Sequence, residues 1–181
     1  RLPDDRQATE AAVLTAIEGS DVVILTGGVS VGPHDHVKPA LARLGVREEF
    51  WGVAMQPGRP TWFGTIDQTL VFGLPGNPVS AVVAFSLFAR AAFAAIQGAC
   101  AEVPLDADAE LGEPVRQRPT REQAIRVRLE RVHGVTVAYP RERQDSHIVT
   151  SLIGPGALAL IPAGEGQLAK GTLVPLAELL R

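Results

Sequence analysis

The stretch that most limits what this chain can become is Asp21-Val22-Val23-Ile24-Leu25 followed at once by Thr26-Gly27-Gly28-Val29-Ser30-Val31-Gly32. The apolar run is short, β-branched and uninterrupted, the pattern of a buried parallel strand rather than a half-exposed one. Three glycines around a serine permit left-handed backbone and can turn several N–H groups toward one point, a concavity suited to an oxyanion. In open α/β sheets ligands bind where strands end, so Gly27, Gly28, Ser30 and Gly32 are candidate binding residues. A plain strand-to-helix turn is the alternative that the residues leave open.

Composition narrows the partners. With 181 residues there is chain enough for one ample core or two modest ones. A net charge of −3 offers no basic field for nucleic acid, although a small anion on local N–H groups and an arginine or two remains open. The single cysteine, Cys100, excludes an internal disulfide framework and fits a reducing cytoplasm. The longest apolar segment, 79–96, carries Ser80, Ser86 and Arg90, and reads as a buried amphipathic helix, not a membrane span. No leader is recognisable. The opening Arg1-Leu2-Pro3 lacks a methionine, and a parallel strand over 21–26 needs neighbours, so the sequence reads as a piece of a longer protein.

Taken in order, a helix is expected over 5–18, capped by Asp4 or Asp5 and closed by a left-handed Gly19. A short helix from about Asp35 to Leu44 follows, with Pro39 in its first turn and Gly45 at its end. Residues 49–55 read as one strand, and 61–64 and 70–74 as two more joined by a hairpin connection at 66–68. Leu74-Pro75-Gly76-Asn77-Pro78 then opens the longest helix, 78–97, with Asn77 at the N-cap, Pro78 at the first helical position and Gly98 at the close. Residues 99–106 read as a linker. Beyond it, Val115, 124–129, 135–138, 158–161 and 172–176 are short alternating or apolar runs, the pattern of a small β-barrel or sandwich. The expected fold class is α/β: a partial doubly wound, mixed-sheet domain over 1–100, then a small all-β, barrel-like domain over 101–181.

The chemistry concentrates at two strand ends. The glycine turn is one. The Pro75-Gly76-Asn77-Pro78 corner is the other; it places a helix N-terminus, with outward N–H groups and partial positive charge, where an anion can sit. If their strands are parallel neighbours, both corners open on one edge. Asp35 can either cap the helix that follows it or hold a hydrated divalent cation, since Mg²⁺ is typically held by one or two carboxylates plus substrate oxygens. His34 and His36 flank it, but no further Cys or His completes a zinc site. Arg59, on the turn Gln56-Pro57-Gly58-Arg59-Pro60, can present a planar fork to an anion or simply stand in solvent. No Walker loop, Rossmann fingerprint, nucleophile elbow or HExxH pattern occurs.

In order along the chain, 21–35, the segment Val53-Ala54-Met55-Gln56-Pro57-Gly58-Arg59-Pro60 and the segment 72–81 resemble the molybdopterin molybdenumtransferases, the family of MoeA and the gephyrin E domain. The likeness continues through Arg121, Arg126, Leu129, Gln144-Asp145-Ser146-His147 and 158–162. The resemblance covers essentially the whole chain, which corresponds to about the second half of a family member. It implies binding of adenylylated molybdopterin and molybdate, Mg²⁺-dependent hydrolysis of the adenylate with release of AMP, and delivery of molybdenum to the dithiolene. It implies a molybdopterin-binding type for the first domain, catalytic roles for Asp35, Asp4, Arg126 and Ser146, metal binding by Asp35 and Asp4, and a ligand-binding loop at Pro75, Gly76, Asn77 and Pro78. It also implies a homodimer of the full-length protein, a site completed by upstream regions, and a molybdopterin adenylyltransferase as a candidate partner. Three positions depart from the family pattern: Gln56 and Gly52 stand where lysine occurs, and Asp145 where glycine is preferred. Two other functions compete with this one, molybdopterin adenylyltransferase and a non-catalytic scaffold of the gephyrin type.

Overall fold

The computed structural model describes residues 5–29, 35–99, 105–152 and 156–179. The chain forms two compact units, residues 1–53 with 58–77 and residues 54–57 with 78–181.

The first unit begins with α1 (Arg6–Glu18), capped by Asp5, whose carboxylate accepts from the Ala8 N–H at 2.7 Å. The helix does not end on a left-handed glycine: Gly19 has φ −111°, and the chain passes through ordinary backbone straight into β1 (Val22–Thr26). After β1 come α2 (Val37–Arg43), β2 (Arg47–Trp51), β3 (Met55–Gln56), β4 (Trp62–Ile66) and β5 (Thr69–Leu74). Gly45 closes α2 with φ +82°, a conformation that costs a glycine little. Four of the strands form one sheet in the order β1-β5-β4-β2, with β1 parallel to β5 and the β4–β5 hairpin antiparallel. Only Val23 of β1 is fully buried, because β1 is the edge strand among the described residues and not an inner one.

Val13 of α1, Leu41 of α2, Val23, Val29, Val46, Trp62 and Val71 make the core of this unit on one face of the sheet. On the other face Phe63 stacks on Phe72 at 4.7 Å and on Phe50 at 5.7 Å, as strand alternation requires. The single strand expected over 49–55 is two. Gly52, at φ +80°, turns the chain after Trp51, and Met55–Gln56 leave the first sheet to pair in parallel with β8 (Glu122–Val132) of the second unit.

The second unit contains α3 (Pro78–Ile96), which carries a π-helical segment at Phe85–Ala89 and closes near Gly98 at φ +74°. By length and composition alone this helix could cross a membrane; here Val79, Ser80, Val83, Ala84, Ser86, Leu87 and Ala89 are buried. Arg90 donates to the Glu178 carbonyl at 3.1 Å and lies 3.6 Å from its carboxylate. The remaining strands are β6 (Leu105–Leu111), β7 (Val115–Arg116), β9 (Val135–Pro140), β10 (Ala157–Ile161), β11 (Gln167–Leu168) and β12 (Leu173–Glu178). Pairings β8–β10, β10–β12, β12–β6, β6–β9 and β9–β8 close a five-stranded barrel. Ile125, Val127, Leu111, Ala138, Ala159, Ile161, Val174 and Leu176 pack together as its core. The β8–β9 hairpin turns on His133 and Gly134, both with positive φ, the requirement of the tight turn that matches strand twist. β6 begins inside the stretch that reads as a linker, although Leu105, Ala107, Ala109 and Leu111 alternate with acids as a half-buried strand does.

Candidate functional site

In the first unit the two corners meet. β1 and β5 run parallel with Thr26 opposite Leu74, so both strands deliver their following turns to the same edge. The Gly27 N–H donates to the Leu74 carbonyl at 3.0 Å and extends the ladder one step into the turn. A Cβ on Gly76 would lie 3.5 Å from the Gly27 Cα, which places the two backbones side by side. Gly27 and Gly28 have φ +80° and +69°, so the left-handed turn expected of them forms. Gly28 has a second reason to lack a side chain: a Cβ there would meet Val37 Cγ2 at 2.7 Å. Pro75 is buried beside them, while Gly76 and Asn77 are exposed at the rim, and Pro78 begins α3 as its sequence position requires. Ser30, Gly32 and Asp4 lie outside the described residues.

Asp35 is half-buried, two residues before the Val37 that covers Gly28. It does not occupy the N-cap of α2. That position falls to His36, whose side chain makes no capping bond. Among the described residues no group of three or more His, Cys, Asp or Glu side chains could surround a metal ion. Arg59 is exposed on the turn after the cis Gln56–Pro57 bond, its carbonyl accepting from Val53 N–H at 2.9 Å. The turn is fastened by buried Thr61, whose hydroxyl donates to the Gly58 carbonyl at 2.7 Å.

Trp51 and Lys38 also stand at this edge, and neither carries a motif that singles it out. The Trp51 indole N–H donates to the Val29 carbonyl at 2.9 Å. The Lys38 ammonium lies 4.1 Å from the centre of the same ring and 3.8 Å from the Glu48 carboxylate, which also accepts from the Trp62 indole.

The second unit holds Arg126, fully buried on β8. Its neighbours Ile125 and Val127 point into the barrel, so by alternation its own side chain leaves the opposite face. There the segment after β9 covers it. Arg126 Nη2 donates to the Arg143 and Asp145 carbonyls at 3.2 and 3.3 Å, while its Nε and Nη1 have no hydrogen-bond partner among the described residues. Gln144 fastens the covering segment at both ends of its amide, accepting from the Arg126 N–H and donating to the Arg126 and Arg141 carbonyls. Burial lowers the Arg126 pKa, the Asp145 carboxylate opposes that shift and the Arg141 guanidinium adds to it. Ser146 is half-buried in the same segment. A groove of about 560 Å³ runs beside it, lined by Arg128, Tyr139, Arg141, Arg143 and Ser151 among others.

The chain is similar to known proteins over nearly its whole length. Residues 1–95 fit the family model described as "Probable molybdopterin binding domain", and residues 108–179 fit "MoeA C-terminal region (domain IV)". The chain belongs to the MoeA and gephyrin family of molybdopterin molybdenumtransferases. Among curated relatives, the molybdopterin molybdenumtransferase of Haemophilus influenzae is 42% identical over 97 residues, which is 54% of this chain and 24% of that protein. The one from Bacillus subtilis is 31% identical over 180 residues, 96% of this chain and 40% of its own length. Gephyrin of Dictyostelium discoideum is 32% identical, over 96% of this chain and 27% of its own. The solved molybdopterin biosynthesis MoeA protein from Pyrococcus horikosii superposes with a TM-score of 0.75 at 28% identity, over 98% of this chain and 42% of that one. The chain thus spans less than half the length of these relatives.

Proposed function

We propose that the protein containing this chain is a molybdopterin molybdenumtransferase, which inserts molybdate into adenylylated molybdopterin and releases AMP to give molybdenum cofactor. The observation that carries this reading is the contact of the Gly27 and Gly76 backbones. It brings two amide-rich corners to one rim, where a phosphate or comparable oxyanion can be met by N–H groups without a side chain in the way. Arg126 of the second unit is a separate support: a buried guanidinium whose Nε and Nη1 find no hydrogen-bond partner among the described residues keeps donors of the kind an oxyanion takes.

In this reading the rim binds and orients the phosphate groups and Arg59 draws negative charge, while Arg126 and Ser146 of the second unit take their roles from the family likeness alone. Magnesium would come with the substrate. Half-buried Asp35, with Asp4 as the family's second acid, suits a cation held largely by phosphate oxygens. When bound, the cation would polarise the phosphoanhydride. The protein is proposed to be a cytoplasmic homodimer whose upstream regions complete the site. The test is an assay of the full-length protein with adenylylated molybdopterin, Mg²⁺ and molybdate. AMP release that depends on molybdate, together with active cofactor, is expected. AMP release indifferent to molybdate, or pyrophosphate release from ATP as in an adenylyltransferase, would refute it.

A further inference from the structure

We infer that Trp51 and Lys38 form a clamp that sets the shape and charge of the glycine turn, acting as positioning residues for its anionic ligand. The inference rests on the reading of the rim as an oxyanion seat.

Trp51 is 40% exposed, so it is not held at the edge of β2 by burial. What it does make is directed. Its N–H is spent on the Val29 carbonyl at 2.9 Å, the last described residue of the glycine turn, and its ring carries the Lys38 ammonium at 4.1 Å. A carbonyl tied up in this way is turned toward the indole and cannot point its negative end into the turn, where it would repel an anion. Val29 is fixed from its other side too: its Cγ1 would lie 2.5 Å from a Cβ on Gly73, so the valine packs directly on the β5 backbone. Residues 27–29 of the turn are therefore pinned by Gly27 on Leu74, Val29 on Gly73, and Trp51 on the Val29 carbonyl.

Lys38 adds charge. Glu48, 3.8 Å from the ammonium, helps hold it at the ring, and Glu48 is itself fixed by the buried Trp62. Two short contacts separate that ammonium from the Val29 carbonyl, a span comparable to the Debye length of about 10 Å at 0.1 M salt, so an anion in the turn would feel it. Position 52, next to Trp51, is glycine, and Lys38 supplies a cation at that end of β2.

The full chain is titrated calorimetrically with inorganic pyrophosphate at two salt concentrations, and exchange of the Gly27 amide is followed in the absence of ligand. Lys38→Met should weaken pyrophosphate about three- to tenfold and reduce the salt dependence, with Lys38→Arg restoring both. Trp51→Phe should weaken binding by a similar factor and speed Gly27 exchange several-fold at unchanged melting temperature. Variants that bind pyrophosphate like the parent, with Gly27 exchange unchanged, overturn the clamp. If the parent chain takes no pyrophosphate, the rim has lost its reading as an anion seat. The exchange measurement then decides the clamp alone: faster Gly27 exchange in Trp51→Phe supports it and unchanged exchange overturns it.

Discussion

Replacing Arg126 by methionine should make the chain more stable. The guanidinium is wholly buried, and it pays for that burial poorly: two long bonds to backbone carbonyls at 3.2 and 3.3 Å, and two nitrogens with no hydrogen-bond acceptor among the described residues. An unsatisfied buried donor costs about 1–3 kcal/mol, and more when charged, whereas the two bonds the guanidinium does make are long and return about 1 kcal/mol each, below the usual worth of a charged donor. Methionine keeps much of the volume, removes the unspent donors and leaves two carbonyls short of one bond each. The balance is a gain of about 1–3 kcal/mol, or roughly 2–10 °C in melting temperature for a chain of this size. Burial lowers the Arg126 pKa, so the native chain would shed that proton before the unfolded one. Its stability on that account rises only as pH climbs through the lowered value toward the ordinary guanidinium range. The gain from Arg126→Met should therefore be flat between pH 5 and pH 8. Urea unfolding followed by circular dichroism, with equal slopes for parent and variant, gives the difference directly. In the full-length protein the same change should abolish molybdate-dependent AMP release. A loss of more than about 1 kcal/mol in the variant would show that Arg126 is a structural residue and that its open donors carry no functional meaning.

Three smaller changes probe the rim and the surface. Gly28→Ala combines a positive φ with a 2.7 Å approach to Val37 and should cost about 2–3 kcal/mol by thermal denaturation, against about 1 kcal/mol for Gly45→Ala, where φ is +82° and no atom lies within 4 Å. Gly73→Ala has no backbone penalty but would collide with Val29 at 2.5 Å and Trp62 at 3.2 Å; a loss of about 1–3 kcal/mol with displaced amide signals at Val29 is expected. Hydrogen bonds from Arg47 first and Thr65 second hold the Glu49 carboxyl below its usual range, so its contribution is present above the ordinary carboxylate pKa and fades as pH falls through the lowered value. Glu49→Gln should remove that part of the acid dependence by lowering the neutral-pH melting temperature slightly, with parent and variant converging in acid, where the parent's own carboxyl is protonated.

Much of this was legible in the residues. The glycine turn, the capped α1, the hairpin at 66–68 and the Asn77-Pro78 helix start each rest on local chemistry that a few neighbours settle: a β-branched run, an aspartate before a helix, a proline that has no N–H to lose. What escaped was decided over longer distances. Gly52 looked like one residue in a strand over 49–55, yet it turns the chain so that Met55–Gln56 pair with β8, nearly 70 residues on. β6 begins in the stretch that reads as a linker because one of its inward residues is Ala109, which carries little apolar signal until the barrel closes on it. At the site, Arg126 stands out in the sequence only through the family likeness, which says nothing of its burial. Its burial comes from Gln144 tying down a segment 18 residues away. Lys38 and Trp51 were silent for the same reason, since a ring under an ammonium is a fact of folding and not of spacing.

The most direct test is to titrate the isotopically labelled chain with pyrophosphate and map the amide shifts. The account predicts saturable changes concentrated at Gly27, Gly28, Gly76 and Asn77, the residues that share the rim. Changes spread over surface arginines and lysines, with those four amides unmoved, would contradict it.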